Sequence, residues 1–300
     1  MTEAFLKILD DNRIEYRLNE PMKNHTTFKI GGDADILISV TTEEKLRRVT
    51  ASCREHQIPY MILGKGSNLL VSDEGIEGAV IALDGVFKEI CVEENTITCG
   101  AGVTLSKLCT VALENSLSGL EFAYGIPGSV GGAVYMNAGA YGGEMKDAVD
   151  EVVYLTDSGR IASYQGDALH FSYRHSVFCE TGEIILFSKY KLHKDDPVLI
   201  KERMDDVMDR RRSKQPLEYP SAGSVFKRPK GAFAGTLIEQ CGLKGKTVGG
   251  AQVSEKHAGF IINIGGASCG DVMELCRVIQ DTVREKTGFE LERELIRTGR

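Results

Sequence analysis

Two glycine-rich segments contain the residues best suited to bind a phosphate group. The first is Gly64-Lys65-Gly66-Ser67-Asn68, which directly follows the apolar run 59–63. Backbone N–H groups left free at the end of a strand can converge on a phosphate, and the side chains of Ser67 and Asn68 add further donors. The same pattern is also typical of a plain turn between two strands, so both interpretations stand at this point.

The second glycine-rich segment is Gly125-Ile126-Pro127-Gly128-Ser129-Val130-Gly131-Gly132-Ala133. Its four glycines leave almost no side chains, and the proline fixes one φ angle. A rigid loop of this kind can place its backbone against a flat ring or a pyrophosphate, and residues 136–142 continue the same composition. A tight loop that packs against a helix is the alternative interpretation.

Several common catalytic and cofactor motifs are absent from the sequence. G-x-G-x-x-G can begin only at Gly64 or Gly100, and leucine stands at the sixth position in both cases, which excludes the Rossmann fingerprint. The run 240–247 imitates a nucleotide-binding P-loop, but glutamine replaces its first glycine. The sequence contains no H-E-x-x-H, and its histidines are scattered, so we predict no metal site.

Charge and composition exclude several classes of partner. The 300 residues include 36 basic and 43 acidic side chains, a formal net charge of −7, whereas duplex-binding proteins usually have a basic excess. No apolar run reaches the length of a membrane span, and the first residues do not resemble a signal peptide. The eight cysteines, which form no Cys-x-x-Cys pair, are expected to be reduced and mostly buried. We therefore expect a cytoplasmic protein that binds neither nucleic acid nor membranes and has no evident obligate protein partner.

Short strands and helices alternate around the glycine-rich segments. Hydrophobic patterns predict strands at 36–40, 59–63, 79–83, 96–99, 152–156, 183–190 and 260–264. They predict helices from a capping box at 41–44 to about residue 56, and near 105–113, 198–212 and 271–286, the last ended by Gly288. The pattern indicates a mixed α/β or α+β protein of at least two units, with a boundary in the charged stretch before Pro197.

Together, the motifs resemble one family of flavoenzymes. The segments GKGSNLL and GIPGSVGGA resemble the FAD-binding fold of the vanillyl-alcohol-oxidase (PCMH) type. Motifs of the UDP-N-acetylenolpyruvoylglucosamine reductase family are matched, in order, by NHTTFKIGG, MNAGAYG, SYRHSVF, PSAGSVFKRP, AGTLIEQCGLKGKTVGGAQVSEKHAGFIIN and LEREL. The resemblance covers nearly the whole chain.

The resemblance implies an α+β fold with two domains. A two-part FAD-binding domain would occupy residues 1–196, with α/β subdomains at about 1–83 and 84–196, and a C-terminal α+β substrate-binding domain would occupy 197–300. FAD would be held without a covalent bond. The residues that the resemblance assigns to FAD are Gly64, Lys65, Gly66, Ser67, Asn68, Gly125, Ile126, Pro127, Gly128, Ser129, Gly131 and Gly132.

The resemblance also implies a reaction in peptidoglycan precursor synthesis. NADPH would reduce the flavin, whose N5 would then give hydride to C3 of UDP-N-acetylglucosamine enolpyruvate, so that UDP-N-acetylmuramate forms. Charge develops at C2 and its carboxylate, which requires a cation and a proton donor. Matching positions make Arg174 the cation, Ser224 the proton donor and Glu294 the third catalytic residue. Without the family, Arg174 would be interpreted as a surface ion-pair residue and Ser224 as a turn residue.

Substrate binding is assigned to the third part of the chain. Residues in matching segments there are Lys227, Lys244, Gln252 and His257. Arg228 stands where members often have asparagine, and the stretch 178–197 is too short for the extra tyrosine loop that some members contain. The chain is therefore similar to the shorter, type II form of the family.

Two alternative functions are compatible with parts of this pattern. One is another FAD-dependent oxidase or dehydrogenase of the same fold, although Ser224, Lys244 and Glu294 suit an anionic enol ether better. The other is a regulator that binds a flavin or a nucleotide sugar without turnover. Loss of Arg174, Ser224 or Glu294 would indicate such a regulator, and all three are present.

Overall fold

A computed structural model describes residues 2–300, which form two compact units. The first unit contains the chain up to Arg17, Ile36–Lys65 and Gly78–Arg210, and the second contains Leu18–Asp35, Gly66–Glu77 and Arg211–Arg300. The sequence predicted a single boundary after residue 196, whereas the units interleave along the chain. The difference arises because two early segments contribute apolar side chains to the core of the second unit, namely Phe28, Ile30 and Leu70.

The described chain contains α-helices and many short strands. The helices are α1 (Glu3–Asp11), α2 (Glu43–Glu55), α3 (Leu105–Glu114), α4 (Val130–Tyr135), α5 (Phe178–Thr181), α6 (Pro197–Lys214), α7 (Ala234–Gln240) and α8 (Cys269–Thr287). The strands are β1 (Glu15–Pro21), β2 (Asp33–Val40), β3 (Tyr60–Leu63), β4 (Leu69–Val71), β5 (Ile76–Leu83), β6 (Ile90–Glu93), β7 (Thr96–Gly100), β8 (Leu117–Ser118), β9 (Gly139–Ala140), β10 (Gly143–Glu144), β11 (Val149–Leu155), β12 (Ile161–Gln165), β13 (Ile184–Lys191), β14 (His193–Lys194), β15 (Ser221–Ser224), β16 (Thr247–Val248), β17 (Ala251–Val253), β18 (Phe260–Asn263) and β19 (Ile296–Thr298). The strands and helices predicted from the sequence are all present, with shifted ends.

Two larger sheets lie mostly in the first unit, together with the two-stranded pairs β9-β10 and β8-β14. The four-stranded sheet has the order β1-β2-β5-β3, and β3 and β5 run parallel, with Tyr60 opposite Ala79. The five-stranded sheet has the order β12-β11-β13-β7-β6 and its paired strands are antiparallel. One apolar core contains buried side chains from both sheets and from the inner faces of α2 and α3. The four-stranded sheet thus lies within residues 1–83 and the five-stranded sheet within residues 84–196.

The second unit is built around another sheet and one long helix. Strands β15-β18-β17-β16 form an antiparallel sheet, and β19 pairs in parallel with β4. The helix α8 contributes Val272, Leu275, Ile279 and Val283, all fully buried, to the core of this unit. Their spacing places them on one face of the helix, which explains why the sequence predicts this element well.

Side chains at the helix ends determine where two of the predicted helices begin and end. The Thr42 hydroxyl accepts the Lys45 N–H at 3.2 Å, so α2 begins one residue later than the predicted capping box. A reciprocal capping box of Ser268 and Asp271 begins α8. Gly288, in the left-handed region with φ +74°, ends α8 as predicted.

The second glycine-rich segment is a loop only as far as Ser129. There the sequence prediction is wrong, because the following residues form α4, with the Ser129 hydroxyl accepting the Gly132 N–H at 3.4 Å. Gly131 donates its N–H to Ala101 O at 2.9 Å, and a Cβ at this position would lie 2.9 Å from the Ala101 Cβ. Part of the glycine content therefore allows α4 to pack closely against its neighbours.

The cysteines are free thiols, and most are buried, as predicted. Burial raises the pKa of the Cys53, Cys99, Cys109 and Cys276 thiols to about 12, so these groups stay protonated at neutral pH. Among residues 2–300, no helix is both long and apolar enough to cross a membrane.

Candidate active site

A cavity of about 440 Å³ lies in the first unit where the two glycine-rich segments meet. Its wall combines the end of β3, the end of β5, the turn before α3 and the residue that caps α4. The lining residues are Leu63, Gly64, Lys65, Ala82, Leu83, Asp84, Lys88, Gly102, Val103, Thr104, Lys107 and Ser129. Of the residues predicted to bind a cofactor, this cavity brings together Gly64, Lys65 and Ser129.

Gly64 and Ser129 touch across the cavity wall. A Cβ at Gly64 would lie 2.4 Å from the Ser129 Oγ, so this position has no room for a side chain unless the hydroxyl moves. Backbone bonds hold the wall in place: the Leu105 N–H donates to Gly128 O at 3.0 Å, and the Val130 N–H donates to Val103 O at 2.8 Å. The two glycine-rich segments and the turn before α3 therefore form one fixed surface.

The charges on this surface favour an anion. Lys65, Lys88 and Lys107 line the cavity together with a single carboxylate, Asp84. The Lys88 Nζ donates to Asp84 Oδ2 at 2.6 Å, and this hydrogen bond lowers the pKa of the Asp84 carboxyl. The cationic excess and the narrow glycine-lined wall suit a diphosphate group.

The sequence prediction missed part of this cavity. Thr104, Lys107 and Lys88 line it but were not assigned to a cofactor. A signal was available, because Gly100-Ala101-Gly102 follows a predicted strand, as the first glycine-rich segment does, and lies shortly before α3. A third glycine-rich turn of the same type is a reason to expect that all three segments surround one ligand.

The remaining predicted cofactor residues have other contacts. Gly66, at φ +60°, lies in the second unit, and a Cβ there would be 2.2 Å from the His25 carbonyl oxygen. The Asn68 side chain donates to Glu294 O at 3.1 Å, and the Asn68 carbonyl accepts the Ile296 N–H at 2.9 Å. These contacts give Gly66 and Asn68 structural roles in the second unit. The rest of the predicted cofactor residues also do not line the cavity; they are Ser67, Gly125, Ile126, Pro127, Gly128, Gly131 and Gly132.

Arg174 lies in the first unit at the tip of a short hairpin. The Ser172 N–H donates to His175 O at 3.1 Å, and the His175 N–H donates to Ser172 O at 3.2 Å. Arg174 itself has φ +57°. Its Nη2 donates to Gly139 O at 3.3 Å, and its guanidinium lies 5.0 Å from the centroid of the Tyr173 ring. The hairpin thus directs the guanidinium along the glycine-rich run that follows α4.

Ser224 and Glu294 lie in the second unit on two segments that pair with each other. Val225 O accepts the Glu294 N–H at 2.7 Å, and the Lys227 N–H donates to Glu292 O at 2.8 Å. The pairing joins the end of β15 to the segment before β19, although the two are far apart in sequence. The structure therefore brings the chain segments of two predicted catalytic residues side by side.

His257 is close to Ser224 on the same surface of the second unit. A Cβ at Gly259 would lie 3.5 Å from the Ser224 Oγ and 3.1 Å from the His257 Nδ1. Burial lowers the pKa of His257, which favours a neutral ring at neutral pH. The Gly259 N–H donates to Nδ1 at 3.1 Å, which leaves the ring proton on Nε2. The Ser224 hydroxyl is half-buried, with a long 3.4 Å hydrogen bond to Phe226 O.

The other predicted substrate-binding side chains have partners within the second unit. Each of these side chains is partly exposed and makes a polar contact at the surface. The pairs are Lys227 Nζ with Glu292 Oε1 at 2.6 Å, Lys244 Nζ with Glu239 Oε1 at 2.7 Å, and Gln252 Nε2 with Thr247 Oγ1 at 3.2 Å.

Two protein families match separate parts of the chain. Residues 34–164 match the family described as FAD binding domain. Residues 215–298 match the family described as UDP-N-acetylenolpyruvoylglucosamine reductase, C-terminal domain.

Curated relatives and solved structures match over most of the chain. The UDP-N-acetylenolpyruvoylglucosamine reductase of Syntrophomonas wolfei is 50% identical over 279 residues, covering 93% of this chain and 93% of that protein. The protein of the same name from Caldanaerobacter subterraneus is 49% identical over 295 residues, covering 98% and 97%. The crystal structure of UDP-N-acetylenolpyruvylglucosamine reductase from Thermus caldophilus is 40% identical with a TM-score of 0.81, covering 95% of this chain and 99% of that one.

A more distant structure shares only the fold. The BBE-like 1 protein of Physcomitrella patens is 14% identical with a TM-score of 0.50, and the match covers 63% of this chain and 44% of that one. With the FAD-binding match, these findings confirm the predicted α+β fold, an FAD-binding domain of the vanillyl-alcohol-oxidase (PCMH) type followed by a C-terminal α+β domain. This chain therefore belongs to the UDP-N-acetylenolpyruvoylglucosamine reductase family, and it is an FAD-dependent oxidoreductase.

Proposed function

We propose that this chain catalyses the NADPH-dependent reduction of UDP-N-acetylglucosamine enolpyruvate to UDP-N-acetylmuramate in peptidoglycan precursor synthesis. The observation that carries the proposal is the pairing of the Ser224 and Glu294 segments beside a neutral His257. The names of the full-length relatives support the same substrate class. We assign FAD binding to the first unit and substrate binding to the second.

The cavity of the first unit fits the diphosphate of FAD. Gly64 keeps the cavity wall narrow, since a side chain at this position would collide with Ser129. The lining residues Lys65, Lys88 and Lys107 provide positive charge. When bound and reduced by NADPH, FAD would supply the hydride for C3 of the substrate. The protein has to hold this group, orient the substrate and provide the charge and the proton that the product requires.

Arg174 and Ser224 have separate roles in this proposal. Arg174 offers a planar, permanently charged guanidinium that suits the substrate carboxylate, on which charge develops as C3 is reduced. Ser224 donates a proton to C2. Its hydroxyl is suited to this role because it is half-buried and its hydrogen bond to Phe226 O is long, at 3.4 Å. Glu294 is the third catalytic residue, and its backbone is fixed against Val225.

Substrate phosphates are proposed to contact Lys227, Lys244, Gln252 and His257. The two lysines form exposed ion pairs with glutamates, and such pairs contribute little to stability, so that a diphosphate can compete for them. The substrate partner is thus a UDP-sugar. Because UDP-sugars and NADPH are cytoplasmic metabolites, we propose a cytoplasmic location, which fractionation of the source cells tests.

When the chain is denatured, FAD is expected to be released from the protein in chemically unchanged form. Neither residues 64–68 nor residues 125–133 include a histidine or cysteine that could bond to the flavin. Acid precipitation should therefore leave the yellow colour in the supernatant, with an absorbance spectrum of free FAD. Yellow colour in the protein pellet would contradict non-covalent binding.

Gly64→Ala is expected to weaken FAD binding about tenfold or more. The new Cβ would meet the Ser129 Oγ at 2.4 Å, so the hydroxyl must turn away from its bond to the Gly132 N–H. Titration of apoprotein with FAD measures the effect. The control is Gly64→Ala combined with Ser129→Ala, which removes the collision and should recover part of the affinity. An unchanged dissociation constant for Gly64→Ala would place the diphosphate elsewhere.

Turnover with different acceptors tests the proposed reaction. The purified enzyme should consume NADPH rapidly only when UDP-N-acetylglucosamine enolpyruvate is present, with one product molecule formed for each NADPH. An oxidase of the same fold would instead consume oxygen with an alcohol or hydroxy acid. NADPH oxidation that is fast with oxygen and unaffected by the enolpyruvyl substrate would refute the proposed function.

A further inference from the structure

Asn137 is fully buried, and its side-chain amide makes three hydrogen bonds. Its Nδ2 donates to Glu144 Oε2 and to Ser172 O, both at 2.8 Å. Its Oδ1 accepts the Lys146 N–H at 3.0 Å. The amide therefore joins the loop after α4 to the hairpin that carries Arg174. Both its nitrogen and its oxygen are hydrogen-bonded.

The hairpin depends on such support. Ser172 O, which accepts from Asn137, also accepts the His175 N–H that closes the hairpin. Arg174 between them has φ +57°, a region that residues with side chains rarely adopt unless the surrounding structure holds them there. The buried Ser176 hydroxyl provides a second attachment, donating to a backbone carbonyl of α4 at 2.6 Å.

We propose that Asn137 is a positioning residue for Arg174, and that its amide fixes the Ser172 carbonyl and so the direction of the guanidinium. This inference rests on the catalytic role proposed above for Arg174. The chemistry requires an amide: an aspartate of the same shape would turn an oxygen toward Ser172 O and toward the Glu144 carboxylate, where asparagine presents N–H groups. Two attractive contacts would become repulsive.

Asn137→Asp is expected to affect the two half-reactions differently. Reduction of bound flavin by NADPH should stay close to the wild-type rate, whereas reoxidation by the enolpyruvyl substrate should slow about 10–100-fold, because the misplaced guanidinium no longer meets the substrate carboxylate. Anaerobic stopped-flow absorbance measures both. Asn115→Asp is the matched control, since Asn115 also donates its amide to a backbone carbonyl, that of Val111 at 2.8 Å. Both rates should be unchanged in that control.

A second substitution separates positioning from stability. Glu144→Gln added to Asn137→Asp reverses donor and acceptor, so the bond between positions 137 and 144 can form again, but the bond to Ser172 O cannot. The double variant should regain thermal stability and still reoxidise its flavin slowly. It also keeps the test available if Asn137→Asp alone does not fold.

The effects of Asn137→Asp and Arg174→Lys should not add, because both act on the same contact. Three results would overturn the inference: wild-type reoxidation in Asn137→Asp, full recovery of the reoxidation rate in the double variant, or equal slowing of both half-reactions. A normal reoxidation rate in Arg174→Lys would instead refute the proposed role of Arg174. The two failures are therefore distinguishable.

Discussion

Ser224→Ala is expected to slow reoxidation of the flavin by the enolpyruvyl substrate by about 10²–10⁴-fold, the usual contribution of a general acid. This loss corresponds to a barrier higher by roughly 3–5 kcal/mol. Reduction of the flavin by NADPH should be nearly unchanged, because no carbanion forms in that step. Stopped-flow absorbance follows the two half-reactions separately. The fold should be preserved, since the hydroxyl loses only a long bond to Phe226 O.

Two further variants make this result specific. Ser224→Cys should recover part of the reoxidation rate, because a thiol also donates a proton, although it is larger and differently placed. Ser221→Ala, on the same strand β15, should keep both rates. If Ser224→Ala reoxidises its flavin as fast as wild type, Ser224 is a turn residue and the proton donor lies elsewhere.

Arg174→Lys is expected to slow the same half-reaction by about 10–100-fold while the protein still folds. Lysine keeps the charge but lacks the planar, two-pronged geometry that matches a carboxylate, so part of the stabilisation of developing charge is lost. Complete removal in Arg174→Ala should cost about 10²–10³-fold, as for other groups that stabilise an oxyanion. Single-turnover reoxidation as a function of substrate concentration gives both the rate and the affinity.

Two controls test whether the effect is specific to Arg174: the same substitution at another arginine, and addition of free guanidinium ion to the variant without the side chain. The Arg160 Nε, in the turn between β11 and β12, donates to the Ser158 Oγ of the same turn at 3.2 Å, so Arg160→Lys should leave both half-reactions unchanged. Added guanidinium ion should partly restore the rate of Arg174→Ala. If Arg174→Lys reoxidises its flavin at the normal rate, the role of Arg174 is structural and not catalytic.

Elements with local signals could be predicted from the sequence. The helix α8 has apolar residues on one face, a Ser268–Asp271 capping box and Gly288 at its end, and all of these signals lie within one stretch of chain. The first glycine-rich segment was also placed correctly after a strand. Such features depend on neighbouring residues only, which is why they are readable without a structure.

Features that depend on distant contacts could not be predicted in the same way. The start of α4 inside a glycine-rich run is determined by the Ser129 cap and by close packing of Gly131 on Ala101. Lys88 and Lys107 line the cavity because separate strands and turns meet there. The interleaved units depend on apolar side chains from early segments that join a late core. The proposed catalytic residues come from family motifs, since a single arginine or serine carries no local signal of its role.

Single-turnover reoxidation of the wild-type flavin tests the central claim most directly. Enzyme reduced with one equivalent of NADPH under anaerobic conditions is mixed with UDP-N-acetylglucosamine enolpyruvate, and flavin absorbance is followed while the product is quantified. We expect the oxidised flavin spectrum to return in full, with one UDP-N-acetylmuramate formed per flavin. Flavin that stays reduced in the presence of this substrate, yet is reoxidised when oxygen is admitted, would contradict the proposed function.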